Sequence, residues 1–451
     1  MFLRVRRVGG RDARAGEAAS MSPMGAAWHD LVDAARTFSR PARLYLLASF
    51  SIWMGRGIQT VLFNLYLAEA GFKVAFVGNV LAMTGAGLAV AAIPAGLLAD
   101  RWGRRRCLML GVVIEGLGLL LRACVVAPAA ISASSFVAGL GLSLVSIATL
   151  PFLTEHSTSR ERTHLFSAAF AVALLAGVAG SAIAGALPAA LLALPGVIRP
   201  GTLVAYRSAL VVAAVCSLSG LLPLARLRGL HETSTVRARA QAPAGSWRPL
   251  LPIALNFLLF GCGAGLVIPF MNLYFKNRFG CSSAQIGMFF AIAAVATAVA
   301  ALAGPALARR FGTLRTAVAF ELLSLPCLVS MGAETRLATA VAAFWLRATL
   351  MQAATPLLNS FVMEALPARL RARSSSISNL MFNLGGAASA ASAGVLIQRW
   401  GYALPFYITA VLYATASISF YLSFRNLPVG AAEPRIGQLE TSLRGGGPLA
   451  S

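Results

Sequence analysis

The sequence predicts an all-α integral membrane protein of twelve transmembrane helices, built as two six-helix bundles related by a pseudo-twofold axis. Three observations carry that prediction. Hydrophobic residues make up 58% of the 451 residues and charged residues only 12%, with a mean hydropathy of +0.75, whereas soluble chains carry about 25% charge. Apolar runs of the length that crosses a bilayer, about 20 residues, recur twelve times. Finally, side chains reappear at a constant offset of 208 or 209 positions along the chain.

Taken in order, the spans are expected at 43–69, 75–100, 105–125, 129–154, 164–190 and 203–225, then at 249–275, 282–308, 314–332, 337–363, 373–398 and 402–424. Turns containing Arg, Pro and Gly separate them. The longest polar interruption, 226–248, reads as a linker between an N-terminal bundle (43–225) and a C-terminal bundle (249–425). Residues 1–42 form a basic tail, and 426–451, rich in Gly, Pro and Glu, form a second tail. Residues 1–20 hold arginines but no apolar core of a signal peptide, so no cleavable leader is expected, and Met21 or Met24 is an alternative start.

Net charge is +23, and its distribution decides what that means. Twenty-eight of the 38 Lys and Arg fall in the tails and even-numbered loops, seven in the odd-numbered loops. This is the asymmetry that keeps basic loops in the cytoplasm, so both termini are expected there, in a multi-pass protein of the cell (inner) membrane. The basicity is a topology signal, and nucleic acid is not an expected partner. The six cysteines are scattered and the four histidines lie away from the span centres, so neither metal nor cofactor is expected.

The repeat is explicit. Gly96-Leu97-Leu98-Ala99-Asp100-Arg101-Trp102-Gly103-Arg104-Arg105-Arg106 links spans 2 and 3, and a degraded copy ending Arg309-Arg310-Phe311-Gly312-Thr313-Leu314-Arg315 links spans 8 and 9. Asn64-Leu65-Tyr66 returns as Asn272-Leu273-Tyr274, Gly78 as Gly287, Glu155 as Glu364, Arg162 as Arg371 and Gly185 as Gly394. Two copies in the same orientation imply an axis along the membrane normal.

Twelve spans as six plus six, with this hinge between spans 2 and 3, resemble the major facilitator superfamily. The pattern G-x-x-x-D-R-x-G-R-R/K-x-R is followed through Gly96, Asp100, Arg101, Gly103 and Arg104, with Arg106 one position before its final arginine. The resemblance implies a cytoplasmic latch between the bundles, with Gly96 allowing close helix packing and Asp100 facing a helix N-terminus. The arginines are expected to pair with Glu155 or Glu161. Glu155 with Arg162, and Glu364 with Arg371, are expected to complete the inner gate, or to be solvated surface pairs. Arg309 replaces the aspartate in the second copy, so its latch role is weakened.

Ionisable groups inside spans are costly and tend to be functional. Arg56, Glu115, Glu321 and Arg347 are therefore candidates for substrate or coupling roles, Glu115 as proton carrier. Structural ion pairs are the competing reading, and Glu321 would then partner Arg309, Arg310 or Arg315. Gln352, Asn256, Asn379 and Asn383 are candidate cavity groups or interhelical hydrogen bonders. Arg122, seven residues from Glu115, is not expected to pair with it directly. Asn64, Tyr66, Asn272 and Tyr274 are expected at an outer gate, or as interface anchors. Span 5 carries Gly177, Gly180, Ser181, Ala184 and Gly185, in part similar to the signature of drug/proton antiporters in the same superfamily. It departs from it at Ser181 and Ala184, and close packing against the other bundle is the plainer reading.

The function implied is secondary active transport of a small organic solute by alternating access, favouring proton-coupled efflux by a monomer in the lipid bilayer. Uptake of an anionic metabolite through Arg56 and Arg347, and a receptor or scramblase on the same scaffold, are the alternatives. No enzyme is expected, since the sequence holds no G-x-x-x-x-G-K-[ST] and no catalytic constellation.

Overall fold

In a computed structural model of the chain, residues 38–155, 157, 162–193, 201–227, 250–366 and 368–425 are described. The linker and both tails expected from sequence fall almost wholly outside them. Among the described residues, twelve helices are long and apolar enough to cross a membrane. They are α1 (Arg40–Glu69), α2 (Val74–Trp102), α3 (Arg104–Cys124), α4 (Pro128–Glu155), α5 (Arg162–Leu192) and α6 (Thr202–Ser219, continued by Leu221–Ala225). The second set is α7 (Leu251–Val267, a 3-10 turn Ile268–Phe270, then Met271–Phe279), α8 (Ser283–Phe311), α9 (Thr313–Ala333), α10 (Leu337–Ala365), α11 (Ala368–Trp400) and α12 (Ala403–Phe424).

Each helix turns one apolar side inward and leaves the other uncovered. Ile93 is 78% exposed and Val411 65%, values that a soluble core would not tolerate and that a lipid-facing surface requires. The inward sides meet in the same pattern in both halves. Helix α1 packs on α5 and α6, α2 on α4, and α3 on α4 and α6; correspondingly α7 packs on α11 and α12, α8 on α10, and α9 on α10 and α12. The offset read from the sequence is therefore a rotation in space.

The hinge glycines show why the copies persist. Gly103 (φ 91°, ψ 152°) and Gly312 (φ 87°, ψ 145°) both end one helix and begin the next in a region that side chains with a Cβ avoid. Gly71 and Gly280, also 209 apart, are a second such pair, with φ of 85° and 68°. They terminate α1 and α7 at the face opposite the hinge.

Across the axis, the bundles touch through glycine. The backbones of α2 and α11 cross at Gly78 and Gly394, where a Cβ on Gly78 would stand 2.6 Å from the Ala390 carbonyl and 3.0 Å from Gly394 Cα. The crossing of α5 and α8 uses the equivalent pair: a Cβ on Gly287 would lie 2.8 Å from Gly185 Cα. Of the small residues of α5, Ser181 and Gly185 thus serve close contact with the other bundle, while Gly180 packs on Met54 and Gly57 of α1 in its own.

Helix α7 departs from the continuous helix expected. Pro269 lacks the N–H that would continue the α-helical ladder, and the chain tightens to 3-10 over Ile268–Phe270. The backbone N–H of Leu273 then bonds its neighbour's Asn272 Oδ1 at 2.9 Å, which leaves the Pro269 carbonyl free for another donor.

Candidate functional site

That free carbonyl is taken from across the axis. Asn64 Nδ2 donates to Pro269 O at 2.5 Å and to Asn272 Oδ1 at 3.2 Å, while Asn272 Nδ2 donates to Val61 O at 2.8 Å. Each asparagine thus reaches the carbonyl three residues before its counterpart, a reciprocal clasp between α1 and α7. Lys276 Nζ to Glu69 Oε2 (3.1 Å) and Ala75 N to Gln398 Oε1 (3.3 Å) join the bundles at the same end. The tyrosines expected beside the asparagines do not cross. Tyr274 donates to Met331 O at 2.7 Å inside its own bundle, and Tyr66 is buried in the core. Ring packing explains this, because Phe275, Phe279, Tyr402 and Phe406 enclose the Tyr274 ring edge-on.

Between that clasp and the hinge face lies a cavity of about 790 Å³. It is walled by α7, α9, α10, α11 and α12, with one residue of α8, and runs from Ile268 and Arg347 to Met363 and Ser375 near the hinge face. Helix α10 contributes a stripe at helical spacing, Arg347, Met351, Thr355, Leu358 and Val362. Of the sequence candidates, Asn256, Glu321, Arg347, Gln352 and Asn379 line it and Asn383 does not. The Asn383 and Asn379 amides turn back to their own helix, donating to Asn379 O (2.8 Å) and Ser375 O (3.0 Å).

Three buried groups in this wall sit half way along their helices: Glu321, Arg347 and Tyr413. Glu321 is 1% exposed and accepts from Ser417 Oγ at 2.8 Å. The expected partners Arg309, Arg310 and Arg315 do not pair with it, because they lie at the hinge end of α8 and α9 whereas Glu321 is two turns deeper. Arg347 stands beside Tyr413, and its Nε has no hydrogen-bond partner. Asn256 donates to Ala416 O at 3.1 Å and leaves Oδ1 unpartnered.

The N-terminal half treats its charges differently. Arg56 Nε and Nη2 meet the two oxygens of Glu115, both at 2.7 Å, and the guanidinium lies 5.1 Å from the Trp53 ring centroid. This fork-to-fork geometry compensates both charges within the N-terminal bundle. A pocket of about 230 Å³ beside Arg56 is lined by Tyr45, Ser49, Trp53, Ser146 and Thr149 among others. Arg122 does not pair with Glu115; it donates to Gln59 Oε1 at 2.9 Å and stacks 3.8 Å over Phe63. None of these charges is repeated: 208 positions on from Arg56 is Ala264, 209 on from Glu115 is Ser324, and 209 before Glu321 and Arg347 are Val112 and Ala138.

At the hinge, Arg104 bridges two carboxylates, Asp100 at 2.5 Å and Glu155 at 3.4 Å. Asp100 therefore faces an arginine side chain in place of a bare helix terminus. Arg105 caps α6 by donating to Leu224 O and Ala225 O. Arg101 and Arg106 are exposed. Close packing at Gly96 is not found, since a Cβ there would meet nothing within 4 Å. Helices α2 and α11 meet at Gly78 and Gly85, nearer the clasp. Glu364 and Arg371 are exposed and unjoined: Glu364 accepts from Ser360 (3.1 Å), and Arg371 donates to Leu366 O (3.1 Å). The Arg162 side chain and Glu161 lie outside the described residues.

Two internally repeated bundles, clasped at one face, with a cavity in the C-terminal bundle that runs toward the other face, define a two-bundle membrane carrier architecture. The chain matches the Major Facilitator Superfamily over residues 45–390 and again over 253–446, and it belongs to that family of secondary transporters. No characterised protein matches it in sequence. Similar solved folds include a bacterial homologue of the human lysosomal transporter Spinster in an inward-facing, occupied conformation (TM-score 0.71, 14% identity, 86% of this chain and 96% of that one). Others are the nucleoside transporter NupG (0.68, 13%, 84% and 98%) and an inward-facing bacterial homologue of the iron transporter ferroportin (0.67, 17%, 84% and 98%). At these identities the likeness concerns the fold.

Tyr413, Ser417, Gln59 and the Gly71/Gly280 pair escape the sequence reading. Tyr413 and Ser417 stand one helical turn apart, a polar stripe in an apolar run, and that spacing was the available signal.

Proposed function

We propose that this chain is a proton-coupled secondary transporter that moves a small organic molecule out of the cell by alternating access. The carrying observation is the closed clasp at Asn64 and Asn272 with the cavity running from mid-depth toward the hinge face. The positive-inside asymmetry supports a cytoplasmic position for that face, and in this reading the conformation described is open inward. The Asp100–Arg104–Glu155 cluster then serves the opposite, outward-facing state as part of the cytoplasmic latch.

Glu321 is the coupling carboxylate in this reading. It has no ion-pair partner among the described residues; Ser417 of α12 donates to it, Tyr413 of the same helix is within electrostatic reach, and Arg347 of α10 and Asn256 of α7 line the same cavity. A carboxylate uncompensated in such surroundings is costly, and a proton or a cationic ligand group relieves that cost. Glu115, expected as the proton carrier, is already neutralised by Arg56. Uptake of an anion through Arg56 and Arg347 together loses support for the same reason.

The test is flux in proteoliposomes loaded with a pH-sensitive dye. Addition of substrate-like amphipathic amines is expected to trigger saturable proton movement, lost in Glu321→Gln while counterflow exchange persists. Absence of any saturable exchange by the wild-type protein would return the chain to the receptor or scramblase reading.

A further inference from the structure

We infer that the transported molecule is an organic zwitterion, with a cationic amine and an anionic group on an apolar body, recognised by the C-terminal bundle. This rests on the transporter reading above and names its substrate class.

The argument starts from two opposite charges that share one cavity without pairing. Glu321 and Arg347 both line the 790 Å³ space, yet among the described residues no ion pair joins them. Both are at most 5% exposed. Tyr413, within electrostatic reach of both, stands in the same wall. The N-terminal half shows the alternative this chain uses where a charge pair is structural: Arg56 and Glu115 close on each other with every favourable contact made. Held apart, Arg347 has the Tyr413 hydroxyl and Glu321 the Ser417 hydroxyl as hydrogen-bond partners but neither has a counter-charge, and a buried charge without one is strongly unfavourable.

Two unpartnered polar atoms point to what is missing. Arg347 Nε–H is a buried donor with no acceptor, and Asn256 Oδ1 is a buried acceptor with no donor. An anionic ligand group would satisfy the first. An ammonium group would satisfy the carboxylate of Glu321 and offer its remaining N–H to Asn256.

Neutrality decides between ligand classes. A simple cation, including a divalent metal, would compensate Glu321 and leave Arg347 uncompensated or repelled. A simple anion would do the reverse. With Glu321 ionised, only a ligand bearing both charges leaves the loaded cavity with none unmatched. The same cavity is lined by Phe257, Phe260 and Met351, so the body carrying the two groups is apolar as well. The volume suits an occupant of drug-like size.

The experiment uses the purified full chain in detergent and four matched fluorescent probes: Nε-dansyl-lysine (zwitterion), its methyl ester (cation), its Nα-acetyl derivative (anion) and the Nα-acetyl methyl ester (neutral). The zwitterion is expected to bind at least about tenfold more tightly than either singly charged probe, a difference of roughly 1.4 kcal/mol. Arg347→Gln should remove the preference over the ester, and Glu321→Gln the preference over the acetylated probe. The charge-keeping Arg347→Lys and Glu321→Asp should retain part of each, and the wild-type ranking stands without any variant. Equal affinity for the four probes, or binding by none, overturns the inference. Proton-driven flux of the singly charged probes with no preference for the zwitterion would sink the substrate class while leaving the transporter reading intact.

Discussion

Arg56 and Glu115 illustrate how much a buried side chain depends on its partner. The pair ties α1 to α3 through two bonds of 2.7 Å, with Glu115 4% exposed. Arg56→Ala leaves a carboxylate buried and alone, so it is expected to destabilise the protein by about 3–5 kcal/mol. Replacing both, as Arg56→Met with Glu115→Leu, should recover most of that loss, because the charges then no longer need compensation. Thermal unfolding in detergent checks this, and a double variant as unstable as the single one would contradict it. The same logic separates Arg56 from Arg347: an Arg56 variant restored by the second substitution should keep the zwitterion preference in the binding assay.

Among the elements, the hinge glycines and the crossing glycines make opposite demands. Gly103 is held where a Cβ is disfavoured, so Gly103→Ala should cost about 1–3 kcal/mol. Gly96, inside α2 with open space where its Cβ would be, should accept alanine with no loss of stability and a gain of up to about 1 kcal/mol from helix propensity. If Gly96→Ala keeps its melting temperature but loses flux, the close approach that glycine permits is used in the outward-facing state. Flux at the wild-type rate would remove Gly96 from the latch. At the crossings a side chain has nowhere to go. Gly78→Leu and Gly287→Leu are each expected to force the bundles apart at the clasped face, read out as faster thiol labelling of a cysteine introduced at Asn64. Unchanged labelling would show that the crossings are not what holds this face shut.

For the whole molecule, the clasp is a prediction about motion. Asn64 and Asn272 lie across the axis from one another, so in a chain whose six native cysteines are replaced by alanine, Asn64→Cys with Asn272→Cys is expected to crosslink with a short bifunctional thiol reagent. Crosslinking should abolish flux, and cleavage of the link should restore it. Flux that survives complete crosslinking would rule out rocking about this axis.

The legible part of the protein was what each segment carries in itself. Twelve apolar runs, the paired Gly-Arg hinges and the 209-residue offset are local or periodic facts, and the helices lie within a few residues of the expected spans because burial in lipid acts on each run separately. The pairing of Gly78 with Gly394 and of Gly287 with Gly185 was latent in the repeat, though only the fold shows which members touch. The buried charges were visible as residues and opaque as partners. Whether Glu115 faces Arg56 or Arg122, and whether Glu321 faces a cavity or an arginine, depends on how each helix is rotated about its own axis and where it crosses its neighbours. That rotation is set by side-chain packing among helices far apart in the chain, so tertiary structure alone decided that Arg56 closes on Glu115 while Glu321 and Arg347 line one cavity without pairing.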